Sequence, residues 1–417
     1  MRILVVCPHF EPDVAPTGVV ISEIAHRLID EGHELEIVTS LPWYASHAIE
    51  PGWGGRPVRR ERTPWGRVTR VHPFPTDKRN IPARAAGFAG FTVLATVYSV
   101  CQRRRPDVVL AMSPPLTLGL AGWVAARLRR VPFVFNIQDV FPDVAVEVGA
   151  ITNPRVIRVL RLLERFVYRR ADAVTVLSDD LRDNVEEKLA GRGGTEVRVI
   201  PNFVDTARIV PGDRINGYRE EFGLGDRTVV MYAGNLGFSQ PLGLMIDAAR
   251  ALRHRDDLVF VINGGGSSRP GLEIAAADLD NVRFVDLQPV ERLPEVLAAG
   301  DIHVIALRRG LGRSSVPSKL YSILAAARPV LASVDDGTEV VRVVRSIDAG
   351  VTVEPEDPVA FAAAVEELAG ADRDAMGARG RAFVEEWVSP AGVAAAYVEL
   401  FEDLRRRRRT FPRPRVQ

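Results

Sequence analysis

The sequence predicts an α/β protein made of two doubly wound, parallel-sheet halves of similar size. Three observations predict it. The chain has 417 residues, more than one ordinary core holds. Strand and helix patterns alternate along most of it, the rhythm of βαβ units. One opening design, an apolar strand running through a glycine-containing loop into a helix, occurs twice, at 2–31 and at 228–253.

The first half begins with RILVVCP at 2–8 as a strand. GVVISEIAHRLIDE at 18–31 has the helical apolar period, Gly32 ends it, and ELEIVTS is the second strand. DVVLAMS at 107–113, a helix through 116–129, PFVFNIQD at 132–139, a helix at 154–170 and DAVTVLS at 172–178 continue the pattern. The second half opens with TVVMYAGNLG at 228–237. A helix at 241–253, LVFVINGGG at 258–266, VRFVDL, a helix, DIHVIAL at 301–307, a helix at 317–327 and PVLASV follow. SPAGVAAAYVELFEDLR at 389–405 reads as a final amphipathic helix, and RRRRRTFPRPRVQ behind it as a disordered basic tail. Two stretches break the rhythm. Residues 43–82, rich in Gly, Pro, Trp and Arg, read as a long surface excursion. Residues 85–101, AAGFAGFTVLATVYSVC, carry no charge and are bracketed by arginines.

Composition narrows the function. With 47% hydrophobic and 26% charged residues, the chain is neither disordered, nor collagen-like, nor a multi-span membrane protein. A net charge of +1 gives no global field to recruit nucleic acid. Cys7 and Cys101 alone make neither a disulfide scaffold nor a cysteine-built metal site, and the seven histidines show no HExxH spacing. No metal and no resident cofactor are expected. The opening strand lacks a signal-peptide pattern, so the expected compartment is the cytosol. Lys78, Lys188 and Lys319 are the only lysines, which makes each a candidate.

Parallel sheets bind ligands at the carboxyl ends of their strands. The first such loop, CPHFEPDVAPTG, is not GxGxxG, which argues against a dinucleotide fingerprint. Two readings of Gly18 stay open: a helix-start glycine whose N–H groups accept an anion or sugar hydroxyl, or a plain turn glycine. AGNLGFSQPLG after 228–234 and NGGGSS at 263–268 are successive glycine loops, with Gly234 and Gly265 as candidates for close approach to a phosphate-bearing ligand. In RRGLGRSSVPSKLYSILAAARPVLAS at 308–333, Ser318 caps a helix and Lys319 sits in its first turn. A lysine there opposes the helix dipole, so it is either solvated or paired with a bound anion.

These segments together resemble retaining glycosyltransferases of family 4, with the GT-B arrangement of two Rossmann-like domains facing across a cleft. The resemblance rests on the Thr17-Gly18 loop, PNFVD at 201–205, AGNLGFSQPLGLMIDAA, the NGGG turn, AGDIHVIAL, the SKLYSILAAARPVLAS helix and DAGVTVEPED at 348–357. It spans nearly the whole chain. It implies an acceptor-binding domain over 1–200, with the helix at 389–405 packing back on it, a nucleotide-sugar-binding domain over 201–388, and a basic tail over 406–417. NIQDVFPD and the VPSK helix start resemble a bacterial subgroup that adds sugars, N-acetylfucosamine among them, to lipid-linked surface-polysaccharide precursors.

Where the family carries two glutamates around the donor sugar and ribose, this chain has Ser314 and Ser322. Its usual Arg and Lys on the diphosphate fall at Asn235 and Gln240, and the His of a His-Asp pair falls at Gln138, leaving Asp139. Asn and Gln do not neutralise a leaving diphosphate, so the resemblance turns to Lys319 first, with Arg308, Arg309 or Arg313 in reserve. Lys319 and Asp139 are then the catalytic candidates, Asp139 positioning a sugar or acceptor hydroxyl unless it only caps the turn before Phe141-Pro142. His9 and Gln138 are the acceptor-side candidates. Gly18, Gly234, Asn235, Gln240, Gly265, Ser314, Ser318 and Ser322 are assigned to the donor.

The expected partners are a nucleotide-sugar donor and a lipid-linked saccharide acceptor. The 85–101 run is just short of the ~20 residues a spanning helix needs. It reads as a partly buried core helix or as an interfacial contact, and the arginines of 56–70 and 103–105 suit an anionic membrane surface on the inner face. Competing readings are a nucleotide-sugar epimerase and a catalytically silent nucleotide-sugar-binding protein. The missing glutamates favour the second of these.

Overall fold

Strands such as Val108–Ser113, Phe133–Ile137 and Leu258–Asn263 are short apolar runs buried along their whole length, as required where helices cover both faces of a sheet. The computed structural model describes residues 1–76, 81–189, 194–313, 317 and 319–410, without the side chains of residues 81, 82, 313, 409 and 410. Two compact units result. One comprises Met1–Val146, Ile151–Asn202 and the chain from Pro390 onward; the other comprises Glu147–Ala150 and Phe203–Ser389.

The N-terminal unit holds eight strands: β1 (Arg2–Val6), β2 (Glu34–Ser40), β3 (Val58–Thr63), β4 (Gly66–Val71), β5 (Val108–Ser113), β6 (Phe133–Ile137), β7 (Ala173–Val176) and β8 (Glu196–Val199). Their order is β3-β4-β2-β1-β5-β6-β7-β8, and every pair is parallel except β3 with β4. The excursion expected over 43–82 is therefore partly sheet. Its hairpin extends the sheet beyond β2, with Val68, Thr69, Arg70 and Val71 buried. The arginines that make VRRERT look like surface coil lie on an edge strand, where charge is the ordinary composition.

The helix Pro390–Thr410 belongs to this unit and packs on the helix Pro16–Asp30. Its end corrects the expected tail. The helix runs through the arginine run, with Arg405 on Asp107, Arg407 on Glu196 and Arg408 on Asp172 at 3.0, 2.9 and 2.7 Å. These carboxylates lie at the amino ends of β5, β7 and β8, and they turn a like-charge block into an ordered last turn. Residues 411–417 lie outside the described residues.

The second unit holds six strands: β9 (Thr228–Ala233), β10 (Leu258–Asn263), β11 (Val282–Val285), β12 (Ile302–Ala306), β13 (Val330–Ser333) and β14 (Gly350–Val353). All are parallel, in the order β11-β10-β9-β12-β13-β14. Numbered from β9, this is 3-2-1-4-5-6, the doubly wound dinucleotide-fold order. Its sheet faces are filled by Val230, Tyr232, Phe260 and Ile262 on one side and Val229, Met231, Val259 and Val261 on the other. The buried Asp301 fixes the amino end of β12: it accepts from Arg219 at 2.5 Å and from the Val229 N–H at 2.7 Å.

Candidate active site

In each sheet the strand order reverses once, and the loops on either side of that point diverge to leave a crevice at the carboxyl ends. In the second unit the reversal lies between β9 and β12. There the two glycine loops are laced together by backbone bonds: the Gly234 N–H donates to the Asn263 carbonyl at 2.8 Å, and the Leu236 N–H to the Gly265 carbonyl at 2.9 Å. A Cβ on Gly264 would stand 1.9 Å from the Gly234 oxygen, and one on Gly266 2.4 Å from the Leu236 oxygen. Those two glycines serve loop-to-loop approach. Gly265 has open space where its Cβ would be.

Lys319 opens the helix Lys319–Ala325, yet its ammonium does not point to bulk water. It donates to the Tyr232 hydroxyl at 2.5 Å and lies 4.2 Å from the centre of that ring. Tyr232 in turn donates to the Asn235 carbonyl at 2.7 Å. The lysine stem crosses Gly234, whose Cβ would be 2.4 Å from Lys319 Cε. Burial pulls the ammonium pKa down to about 8, and among the described residues no carboxylate counters it. The same burial raises the Tyr232 phenol well above its ordinary range, so it stays a neutral partner.

The neighbouring candidates lie on the loop after β9 and on the helix that Lys319 opens. Asn235 is exposed, and it and Gln240 converge on Gly237, whose N–H donates to Gln240 Oε1 at 3.2 Å. Ser322 is half-buried one turn beyond Lys319, on the same helix face. The reserve cations have partners: Arg308 lies 3.9 Å from Glu356 and Arg309 3.3 Å from Glu354. Ser314, Ser318 and the side chain of Arg313 lie outside the described residues, as does Lys78. Lys188 is structural, held between Asp143 and Glu164 at 2.7 and 2.6 Å.

In the N-terminal unit the reversal lies between β1 and β5, next to the His9 loop. His9 is buried, with Nδ1 2.7 Å from Asp13 Oδ2, and its ring stacks on Trp43. Asp13 Oδ1 accepts from the Tyr44 N–H at 3.1 Å. Gly18 is needed for packing, because a Cβ there would meet His9 Cβ at 2.8 Å. Its helix starts at Pro16 without a side-chain cap. Asp139 is half-buried, two residues beyond β6.

Gln138, the other acceptor-side candidate, is hydrogen-bonded within its own unit. Its Nε2 donates to Asn136 Oδ1 at 2.8 Å and its Oε1 accepts from Asn202 at 2.9 Å. Asn136 continues the network to Tyr397 at 2.8 Å, so Gln138 helps tie the C-terminal helix to β6. Both ends of its amide are used internally.

Sequence reasoning missed three residues. Tyr232 carries no motif, although an aromatic hydroxyl at a strand end needs a polar partner. Asp13, four residues after His9, was visible as a spacing. Arg70 holds the His9 loop by donating to the Glu11 carbonyl at 2.6 Å while paired with Glu61 at 2.7 Å, and the supposed excursion hid it.

Comparison with known proteins bears on this arrangement. The family model of the glycosyl transferase 4-like domain matches residues 17–202, and that of glycosyl transferases group 1 matches residues 227–370. The chain belongs to the glycosyltransferases. The transferase is similar to WcaI of Escherichia coli strain K12, named for colanic acid biosynthesis, at 28% identity over 380 residues, 88% of this chain and 92% of that protein. Its fold is GT-B. The sucrose-phosphate synthase of Thermosynechococcus elongatus superposes with a TM-score of 0.76 at 18% identity, covering 97% of this chain and 99% of the other. HepE of Anabaena, solved with UDP-glucose, gives 0.71 at 14% identity, covering 97% and 100%.

Proposed function

We propose that the transferase moves a sugar from a nucleotide-sugar donor to a lipid-linked saccharide acceptor, with retention, in surface-polysaccharide synthesis on the cytoplasmic face of the plasma membrane. The observation that carries the donor half is Lys319. It is a half-buried cation with no carboxylate partner among the described residues, placed at the strand-order reversal of a dinucleotide-type sheet beside two glycine loops. A diphosphate supplies the missing counter-charge. As the glycosidic bond breaks, negative charge grows on the leaving phosphate, and a positioned ammonium stabilises that state more than the ground state. Asn235, Gln240 and Ser322 contribute hydrogen bonds to donor hydroxyls or phosphate oxygens. Asp139, on the N-terminal unit, positions a reacting hydroxyl. The reading assigns charge neutralisation to Lys319 rather than to a metal ion.

Two comparisons support it. HepE was solved with UDP-glucose, and WcaI is named for colanic acid biosynthesis. The helix Ile81–Val100 supports a membrane-linked acceptor: its 83–100 window has a mean hydropathy of 1.2 with 28% of it buried, and Val93 and Val97 are exposed. The test is a donor-hydrolysis and transfer assay across UDP-, GDP- and dTDP-sugars with a polyprenyl-diphosphate-linked saccharide, the product anomer being read by NMR. Turnover with one donor class and a retained anomer is expected. Binding without turnover for every donor would place the chain among silent binding proteins.

A further inference from the structure

We propose that the N-terminal unit carries a second ligand site, an arginine-lined groove at the amino end of its sheet that binds an anionic saccharide. The groove has a volume of about 1020 Å³ and continues into a neighbouring hollow of about 610 Å³ through Arg62, Arg67 and Arg103, which line both. It lies at the opposite end of the strands from the His9 loop, among the Gly32 turn, the β3–β4 turn and the residues after the helix Ile81–Val100.

The floor is set by strand register. Arg62 of β3 stands directly opposite Arg67 of β4, and Arg67 stands beside Glu36 of β2, so the three form one row on one face. Like charges directly opposed across a strand pair are destabilising. Among the described residues, the side chains of Arg62, Arg67 and Arg103 make no hydrogen bond and no close ion pair, although the Arg67 charge acts on Glu36 beside it. Arg104 is different, since it shares Glu34 with Arg2 at 3.1 and 2.7 Å. The row sets two opposed guanidinium groups against one carboxylate, which leaves positive charge in excess.

Glu36 gives the second, independent observation. It is 5% exposed, and its Oε2 is buried without a hydrogen-bond partner. A buried acceptor left unmatched is costly, and a donor from a ligand would match it. Burial also raises the Glu36 carboxyl above the usual range, while Arg67 pulls the other way.

These demands select the ligand class. Two guanidinium forks call for carboxylate or phosphate oxygens, and the unmatched acceptor calls for a hydroxyl donor. Trp65, which lines the groove, offers an indole against which the apolar face of a sugar ring packs. Inorganic phosphate sets its full charge against the Glu36 carboxylate and has no apolar face for Trp65. A neutral saccharide leaves the arginines opposed. A bilayer surface is planar, whereas this row lies on the floor of a groove.

The proposal is tested by calorimetric titration of the full chain with tetragalacturonate, compared with maltotetraose, inorganic phosphate and phosphatidylglycerol vesicles. Tetragalacturonate should bind at least about tenfold more tightly than maltotetraose or phosphate, and Arg62→Gln or Arg67→Gln should weaken it about tenfold. Glu36→Gln should weaken it as well. Donor hydrolysis should be unchanged in all three, which separates this site from the donor reading. Arg62→Gln removes one of two opposed charges, so its Tm should equal or exceed that of the parent. Arg103→Gln, at an exposed position, gives a binding test free of folding effects. Equal binding of maltotetraose, affinity unchanged in Arg62→Gln and Arg103→Gln, or binding to vesicles alone would each overturn the proposal.

Discussion

Replacing Lys319 by Met separates a donor-site lysine from a structural one, because activity should fall while stability does not. The side chain lies across Gly234 and ends on Tyr232, and its pKa falls from 10.5 to about 8. That shift corresponds to roughly 3 kcal/mol against the charged form, and the solvent that still reaches the half-buried chain reduces it to about 2 kcal/mol. Met keeps the stem's volume and removes the charge. It also forfeits one hydrogen bond and one cation–π contact, each about 1 kcal/mol. The sum is near zero or slightly stabilising, so Tm should hold or rise. Activity should collapse: removing a positioned charge from a leaving group costs on the order of 10²- to 10³-fold in kcat. The assay pairs a thermal melt with donor hydrolysis at saturating donor. Lys319→Met with near-parental kcat, or a kcat loss that merely tracks a fall in Tm, would refute the reasoning.

Three further outcomes follow from the same geometry. Because the folded pKa of Lys319 lies below the unfolded value, stability should rise with pH between about 8 and 10.5 through this group and show no slope from it below 8; kcat/KM should fall above about 8, and binding of a nucleoside diphosphate near that pH should take up a proton, seen as a buffer-dependent heat of binding. Gly234→Ala forces a Cβ into Lys319 at a φ of +139°, so it should lose about 1–3 kcal/mol and weaken donor binding, and adding Lys319→Ala should recover part of the stability. Gln138→Ala strips Asn136 Oδ1 and Asn202 Nδ2 of their Gln138 bonds in the interior and should cost about 1–3 kcal/mol in a denaturant melt with kcat little changed; a large kcat loss at unchanged stability would mark Gln138 as an acceptor-side residue.

The strands from β5 to β7 and from β9 to β13 were legible because each is a short run rich in apolar residues between turn signals, most of them buried throughout, and burial on both faces leaves that mark on the sequence. The β3–β4 hairpin was not. Its apolar positions are outnumbered by arginines whose long stems suit an edge strand, so no alternation shows. The C-terminal arginine run misled for a related reason. A block of one charge reads as solvated until its carboxylates appear, and Asp107, Glu196 and Asp172 come from three separate strand starts.

At the site, Lys319 could be singled out from the chain because a lone lysine in a helix's first turn is at odds with the dipole. What resolves that conflict lies 87 residues earlier, in Tyr232. Gln138 shows the reverse: its place in a family motif suggested ligand contact, and contacts 64 and 2 residues away in the chain draw it inward. By itself the sequence determined the fold class, the two halves and the residue types available for chemistry, since these depend on local periodicity and on glycines and lysines rare enough to count. Only the tertiary structure decided which polar groups are spent on each other and which are left needing a partner, because hydrogen-bond saturation and desolvation are set by neighbours that the chain brings together from far apart.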